Sequence, residues 1–314
     1  MEKSKNMNNT DFTLEKEIMS IETFADLVKS RLLFHIRDCD LEKYEVKKNN
    51  GVVLHGIRIK EPENNIAPVF YMDGYYKDYQ DGRPINEIVM EIVANYKKNC
   101  VISDFDTKNI TDFERVKERI CLKVVNTDLN RELLCDVPHI PFCDLSVVFY
   151  VLVDSIPGQN GSVMISNRFM ADWGVDTDTL FERAMYNTPK LLRGKVMSMN
   201  SVIESMLDDR TEDMLPDLEN GVMYVATNDT QTNGASVFLY NSLLSEFANR
   251  IGRDFYIIPS SIHELIFLPD DLQMKPEDLR GMVCEVNSTC VKPEEVLSNN
   301  VYRFRRDTGL VEIA

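Results

Sequence analysis

The sequence predicts an α+β fold, in which mixed or antiparallel sheets carry helices packed on their faces. Three observations support this class: amphipathic helical stripes alternate with short apolar strand-like runs, Asn-Gly turns join several of those runs, and 44% of the residues are hydrophobic. A chain of 314 residues with this composition can bury a sizeable core, in one large domain or in two modest ones.

We expect five segments along the chain. They are a disordered N-terminus (1–14), an N-terminal α+β lobe (15–135), a hairpin–helix unit (136–200), an acidic connector (201–221) and a C-terminal α+β lobe (222–314). Acidic side chains dominate the connector, which favours a solvated boundary rather than a site. The polar N-terminus lacks the apolar stretch that a secretory signal requires.

In the N-terminal lobe, each element follows from a local pattern. Ser20 is a good N-cap for a helix with apolar residues at helical spacing, and Asn50-Gly51 between two strand-like runs predicts a hairpin. Residues 83–99 combine a first-turn proline with one apolar stripe, which predicts the strongest helix of the chain. Residues 111–114 read Thr-Asp-Phe-Glu, a capping box for a short helix, and residues 120–125 predict a strand.

The centre of the chain contains two similar stretches. Residues 148–167 and 222–241 each read as a strand, a polar turn ending in Asn-Gly, and a second strand. A helical pattern follows each of them, around residues 178–185 and over residues 242–251, and Gly252 is the expected C-cap of the second. Either these are copies of one repeated hairpin–helix unit, or two ordinary hairpins have similar sequences.

The charge balance disfavours nucleic acid as a partner. The chain carries 51 acidic and 35 basic side chains, a net charge of −16, and a field of this sign repels phosphate backbones. An acidic decoy of a phage or mobile element, aimed at a nucleic-acid-binding protein, is a weaker alternative. The apolar run at residues 145–153 is far shorter than the ~20 residues that span a bilayer, so we expect no membrane association.

The cysteine pattern indicates a reducing compartment. The seven cysteines are odd in number, widely spaced and without a Cys-x-x-Cys pair, which is typical of reduced thiols rather than of a disulfide framework. Together with the polar N-terminus, this pattern predicts a cytoplasmic protein.

The stretch Pro-Ser-Ser-Ile-His-Glu at residues 259–264 supplies the catalytic candidates His263, Ser261 and Glu264. In a hydrolase the base needs an orienting group, but neighbouring residues such as His263 and Glu264 point in different directions in a strand or a helix. Ser261-x-x-Glu264 also matches a capping box, which predicts one helical turn between two strands. We prefer the turn, and a hydrolase using His263 with a partner distant in sequence stays the alternative.

Cys135, His139 and Cys143 are the candidate metal ligands. Thiolate and imidazole bind zinc well, but a structural site needs a fourth ligand, and the two prolines of this segment hold it extended, so helical spacing does not apply. We therefore expect no metal and no cofactor here, only a packed entry to the following strand.

Tyr75, Tyr76 and Tyr79 are the candidate binding residues, with His139 as a further one. Tyrosine is favoured at binding surfaces because it combines apolar area with a polar tip. The alternative is a tyrosine cluster that packs over the helix at residues 83–99.

Several stretches together resemble one known family, in the order in which they occur there. They are NNGVVLHGIRIKEPENNIAPVFYMDGYYKDYQDG (49–82), DVPHIPFCDLSVVFYVLV (136–153), ADWGVDTDTLFERAMYNTP (171–189), MYVATN (223–228), PSSIHE (259–264) and EVNSTCVKPEEVLSNNVYRF (285–304). The chain resembles the bacterial family called domain of unknown function 5688, found largely in anaerobic gut bacteria. The resemblance implies a bacterial cytosolic protein and no particular catalytic residue. Cys135 and Cys143 lie outside the family's pattern, which weakens the zinc hypothesis further.

The sequence lacks a complete catalytic set. Walker A, G-x-G-x-x-G and H-E-x-x-H motifs are all missing. We therefore expect a non-enzymatic binding or regulatory protein of the bacterial cytoplasm, whose partner is a protein or a small molecule.

Overall fold

A computed structural model describes residues 19–62, 67–99, 108–156, 159–207, 223–270 and 274–314. These residues divide into two units. Unit 1 comprises the described residues within 1–46 and 54–104, and unit 2 comprises those within 47–53 and 105–314. The turn between the first two strands (47–53) therefore belongs to unit 2, whereas most of both strands belongs to unit 1.

The predicted boundaries between lobes stay predictions. The predicted N-terminal tail (1–14) lies outside the described residues, as does the acidic connector from residue 208 onward. The start of that connector is helical, because a helix covers Met199–Leu207. Within the described part of the chain, we find no helix that combines the length and the apolar character needed to cross a bilayer.

Unit 1 is a three-stranded antiparallel sheet covered by helices. Its elements are α1 (Ile21–Leu32), β1 (Asp40–Lys47), β2 (Val53–Lys60), β3 (Val69–Tyr71), α2 (Met72–Gln80) and α3 (Ile85–Asn99). Ser20 caps α1 by accepting a hydrogen bond from the Thr23 N–H at 3.3 Å, as predicted. The α3 helix was also predicted correctly, and Pro84 immediately precedes it.

The core of unit 1 is built from the apolar faces of these elements. Phe24 of α1, Ile57 of β2, Met72 of α2 and Ile88 of α3 are completely buried in one cluster. The apolar residues of α3 repeat at helical spacing, so a single stripe of the helix contributes Ile88, Val89, Ile92 and Val93 to this core.

Unit 2 contains two further antiparallel sheets, which confirms the predicted α+β class. The four-stranded sheet has the order β4-β6-β5, with β7 also paired to β6. Its strands are β4 (Ile120–Asn126), β5 (His139–Phe142), β6 (Leu145–Ile156) and β7 (Gln159–Met164). The six-stranded sheet has the order β13-β12-β10-β11-β9-β8. Its strands are β8 (Gly194–Ser198), β9 (Tyr224–Asn228), β10 (Phe255–Pro259), β11 (Leu265–Pro269), β12 (Tyr302–Phe304) and β13 (Val311–Ile313).

Helices complete the core of unit 2. They are α4 (Lys108–Thr111), α5 (Phe113–Val116), α6 (Arg131–Asp136), α7 (Asn167–Trp173), α8 (Thr177–Leu191), α9 (Met199–Leu207), α10 (Asn241–Ile251) and α11 (Pro276–Thr289). One buried cluster combines Phe149 of β6, Phe255 of β10, Leu180 of α8 and Phe247 of α10. Gly252 ends α10 in the left-handed conformation (φ 76°), as predicted.

The cap of α5 and the second predicted hairpin differ from the expectations. The capping residue of α5 is Asp112, which accepts from the Glu114 N–H at 3.1 Å, whereas Thr111 ends α4. The first central stretch is a hairpin, β6–β7, but in the second the strand β9 is followed by a 3-10 helix (Gly234–Leu239). A side chain at Gly234 would lie 2.0 Å from Thr227 Oγ1, so the chain packs against β9 here instead of forming a second paired strand.

The turn of the first hairpin is fixed by asparagines. Asn50 lies in the left-handed region (φ 61°), and its N–H donates to Asn130 Oδ1 at 2.9 Å. Its amide nitrogen donates to the carbonyl oxygens of Pro293 at 2.8 Å and Val296 at 2.7 Å. Asn130, which is buried, returns a hydrogen bond to Asn50 Oδ1 at 2.8 Å. These bonds set the position of the hairpin tip within unit 2.

Asp144 joins the two sheets of unit 2. It lies in the turn between β5 and β6, and its carboxylate accepts hydrogen bonds from Ser298 Oγ at 2.7 Å, Asn300 Nδ2 at 3.0 Å and Tyr302 OH at 2.6 Å. Ser298 and Tyr302 are completely buried. Burial raises the pKa of Tyr302, and the adjacent Asp144 carboxylate adds to the shift, so this hydroxyl remains a donor.

We expect Asp144→Ala to lower the free energy of unfolding by about 3 kcal/mol, because the buried hydroxyls of Ser298 and Tyr302 would lose their acceptor. Urea denaturation followed by tryptophan fluorescence measures the change. The matched control is Asp307→Ala, which removes an exposed carboxylate of the same unit. Equal midpoints for the two variants would contradict the role of Asp144.

Candidate functional site

A pocket of about 420 Å³ in unit 1 collects titratable side chains from α1, β1 and β2. We call it the His55 pocket and define it by the residues that line it: Glu22, Ala25, Lys43, Tyr44, Glu45, His55 and Gly56. Pockets that combine apolar walls with a few convergent polar groups are the usual binding sites for small molecules.

His55 is held by two contacts to one carboxylate. Asp73 Oδ2 accepts a hydrogen bond from the His55 backbone N–H at 2.8 Å, and Asp73 Oδ1 lies 3.2 Å from His55 Nδ1. In a neutral imidazole this contact requires the proton on Nδ1, so Nε2 carries the lone pair. His55 lines the pocket, and Nε2 is the ring nitrogen that does not contact Asp73.

The pairing of β2 with β3 brings these two residues together. Gly56 is opposite Tyr71 in the register, so the first turn of α2, which carries Asp73, begins beside His55. The strands approach closely at this point, since a Cβ on Gly56 would lie 2.5 Å from Val69 Cγ1 and 3.1 Å from the Tyr44 carbonyl oxygen. Only glycine fits there without displacing Val69.

The other charged groups of the pocket are mostly acceptors. Lys43 is paired with Asp26 at 2.7 Å, whereas Glu22 and Glu45 are exposed acidic groups. Hydrogen bonding by the Ser20 hydroxyl lowers the pKa of Glu22, and a hydrogen bond from its own backbone N–H adds to this effect. The pocket therefore presents carboxylates and one imidazole nitrogen to a ligand.

The tyrosine candidates are partly buried in the core of unit 1. The ring of Tyr76 lies 5.5 Å from that of Phe24, and the ring of Tyr79 lies 5.3 Å from it. The Tyr76 hydroxyl donates to the Met19 carbonyl oxygen at 2.6 Å, and the Tyr75 hydroxyl lies 3.4 Å from Glu91. Tyr76 and Tyr79 thus pack against α1, and only Tyr75 contacts the helix at residues 83–99 through Glu91. A binding role of the three tyrosines stays a prediction.

The Pro-Ser-Ser-Ile-His-Glu stretch is a turn between β10 and β11, which form an antiparallel pair. The predicted helical turn is wrong, because the Ser261 hydroxyl accepts from the His263 N–H at 3.0 Å and the segment contains no helix. His263 Nδ1 accepts from the Asn233 N–H at 3.2 Å, and the Glu264 carboxylate accepts from Ser260 Oγ at 3.1 Å. Glu264 is thus bonded to a serine rather than to His263.

The candidate zinc ligands lie on separate elements. Cys135 lies in the last turn of α6, His139 begins β5, and Cys143 is in the following turn with φ 54°. The His139 Nδ1 lies 3.1 Å from the Val137 carbonyl oxygen. Among the residues that the structure describes, no group of three or more His, Cys, Asp or Glu side chains is arranged to hold a metal ion.

Sequence reasoning missed the pair formed by His55 and Asp73. The two residues are 18 positions apart, on a strand and on a helix, so no local motif links them. The sequence does contain one local signal. His55 within a strand and Asp73 directly after another strand are each followed by a glycine. Glycine in such positions often marks a place where another part of the backbone comes close.

The fold and the pocket define an α+β protein in which a histidine, held by a carboxylate, lines a small cavity. The chain belongs to the Family of unknown function (DUF5688), whose model matches residues 21–306, so the predicted membership is confirmed. No curated protein and no solved structure matches the chain.

We expect neutral His55 to carry its proton on Nδ1, and Asp73→Ala to abolish this preference because the acceptor is removed. Long-range ¹H–¹⁵N correlation spectra of the imidazole measure the tautomer directly. Asp81→Ala, which removes an exposed carboxylate of the same unit, is the control. An unchanged tautomer in Asp73→Ala would show that Asp73 does not orient the ring.

Proposed function

We propose that the protein is a cytoplasmic binding protein and that the His55 pocket holds its ligand, a small molecule. The observation that carries the proposal is the contact between His55 and Asp73, since it fixes an imidazole at the wall of a cavity before any ligand arrives. A polar group that is already held in place loses less conformational entropy when a ligand binds.

The pocket favours a ligand rich in hydrogen-bond donors. His55 Nε2, Glu22 and Glu45 are all acceptors, and Lys43 is already paired with Asp26. An amine or a guanidinium group complements this set by donating to the imidazole and to the carboxylates. The overall net charge of −16 attracts such cations and repels nucleic acid.

The cysteines support a cytoplasmic location. Cys39, Cys121, Cys135, Cys143, Cys284 and Cys290 are all free thiols. Thiols that remain unpaired are typical of proteins in reducing compartments.

The acidic-decoy hypothesis stays a prediction, and it has less support than the pocket, because it rests on net charge alone.

A second candidate function is hydrolysis with His55 as general base. A histidine held by a carboxylate through Nδ1 can take a proton from water on Nε2, and the carboxylate stabilises the imidazolium that forms. The sequence suggested His263 as the base of a hydrolase. His55 is the better candidate, because its ring contacts a carboxylate, whereas the ring of His263 accepts from a backbone N–H.

For the binding proposal, we expect at least one of putrescine, agmatine, lysine and arginine to bind the purified protein in isothermal titration calorimetry. His55→Ala should weaken that binding about tenfold, or about 1.4 kcal/mol. The matched control is His35→Ala, which removes an exposed histidine of the same unit. Equal losses in both variants would contradict the assignment of the pocket.

The hydrolase candidate predicts a different result. Wild-type protein would cleave a chromogenic ester, amide or phosphate ester, and Asp73→Asn would lower kcat by about 10²- to 10⁴-fold because the ring loses its orientation. Binding of an amine without turnover of any of these substrates would favour the binding protein over the hydrolase.

A further inference from the structure

The strand β1 forms an edge of the three-stranded sheet of unit 1. The order of that sheet is β1-β2-β3, so among the described residues β1 has a paired strand on one side only. With eight residues, from Asp40 to Lys47, it is the longest edge strand that the structure describes. Residues 42–45 are all exposed, on both faces of the sheet. An edge of this length and exposure can pair with a further strand.

The pairing with β2 defines which backbone groups of β1 point outward. The Lys48 N–H donates to the Val52 carbonyl oxygen at 2.7 Å. The Tyr44 carbonyl oxygen faces Gly56, since a Cβ on that glycine would lie 3.1 Å from it. Alternate residues of an antiparallel strand bond to the same neighbour, so the even-numbered residues of β1 bond to β2. The odd-numbered residues direct their N–H and C=O groups outward: Leu41, Lys43, Glu45 and Lys47.

A second copy of β1 can bond to this edge in an antiparallel arrangement around a two-fold axis. Since only odd-numbered residues have outward groups, each must face an odd-numbered residue of the partner. With the axis at Tyr44, Lys43 faces the partner's Glu45, and Leu41 faces the partner's Lys47. Every outward residue is then paired, which gives about eight backbone hydrogen bonds across the interface.

The side-chain charges favour this register over the two adjacent ones. With the axis at Tyr44, an ion pair between Lys43 and the partner's Glu45 occurs on each side of the axis. An axis at Lys43 would instead place two copies of that lysine face to face. An axis at Glu45 would do the same for the glutamate, and it would place Lys43 against the partner's Lys47. Opposite charges in facing positions stabilise an antiparallel pair, and like charges destabilise it.

Tyr44 adds an aromatic contact at the axis. Its side chain is 45% exposed, and the Arg58 guanidinium lies 4.9 Å from the centre of its ring. Because the backbone groups of Tyr44 point toward β2, the two copies of this residue form a non-hydrogen-bonded pair, in which facing side chains are closest. Facing aromatic rings stabilise such a pair.

We propose that β1 joins two copies of the chain in a symmetric dimer, with the two-fold axis at Tyr44. The three-stranded sheets of the two copies become one continuous antiparallel sheet. The partner is a second copy of this chain, because the charges of β1 complement those of the same strand in reverse direction. Lys43, Tyr44 and Glu45 also line the His55 pocket, so the partner strand lies beside that pocket in each copy.

Sedimentation equilibrium of the full-length protein tests the dimer. We expect wild-type protein to change from monomer to dimer between about 1 and 200 µM. Glu45→Lys should weaken dimerisation about tenfold or more, because each Lys43 then faces a lysine. Adding Lys43→Glu to that variant restores opposite charges and should recover dimerisation. Wild-type protein that is monomeric at every concentration overturns the proposal, as does equal dimerisation of wild type and Glu45→Lys.

The double variant also needs a folding control, since Lys43 pairs with Asp26 at 2.7 Å within one copy. Thermal unfolding of both variants shows whether they fold. A folded double variant that dimerises no better than Glu45→Lys overturns the assigned register.

Disulfide cross-linking tests the position of the axis with the charges left intact. In Tyr44→Cys the two thiols face each other at a Cα distance of about 4.5 Å, which a disulfide can bridge. In the control Glu42→Cys, the two thiols lie on opposite sides of the axis, about 14 Å apart. Oxidation should give more covalent dimer in Tyr44→Cys than in Glu42→Cys or in wild type, whose native thiols set the baseline. Equal cross-linking of the two variants overturns the proposal.

Discussion

The carboxylate of Asp144 is the interaction on which the architecture of unit 2 depends most directly. It lies at the turn between β5 and β6 of one sheet and accepts from Tyr302 of the other, and it also accepts from Ser298 and Asn300. The Asp144 carboxylate is half-buried, and its three donors offset the cost of removing it from water. The apolar core between the two sheets can pack at this edge because the polar atoms there have hydrogen-bond partners.

One hairpin takes part in both units. His55 stands on β2 within unit 1, and Lys48 stands at the tip that belongs to unit 2. The tip is positioned by the left-handed turn at Asn50 and by its bonds to Asn130 and to the segment at Pro293. The His55 pocket thus depends on backbone geometry, because Gly56 permits the close approach of β2 and β3 that brings Asp73 beside His55.

Elements with a strong local pattern could be predicted from the sequence. The stripe of α3, the cap at Ser20 and the C-cap at Gly252 are encoded by neighbouring residues. The second central stretch could not be predicted, because the 3-10 helix there depends on the contact of Gly234 with Thr227 across the fold. The His55–Asp73 pair was missed for the same reason, since it is created by strand pairing and not by spacing along the chain.

The bond between Asp144 and Tyr302 also has a consequence for biosynthesis. The two residues are 158 positions apart, so at about 5–20 residues per second a ribosome needs roughly 8 to 30 s to make the second after the first. During that interval β6 and its apolar neighbours exist without β12. Unit 2 therefore completes its core only after residues 298–304 have been synthesised, because Leu297, Tyr302 and Phe304 are part of that core.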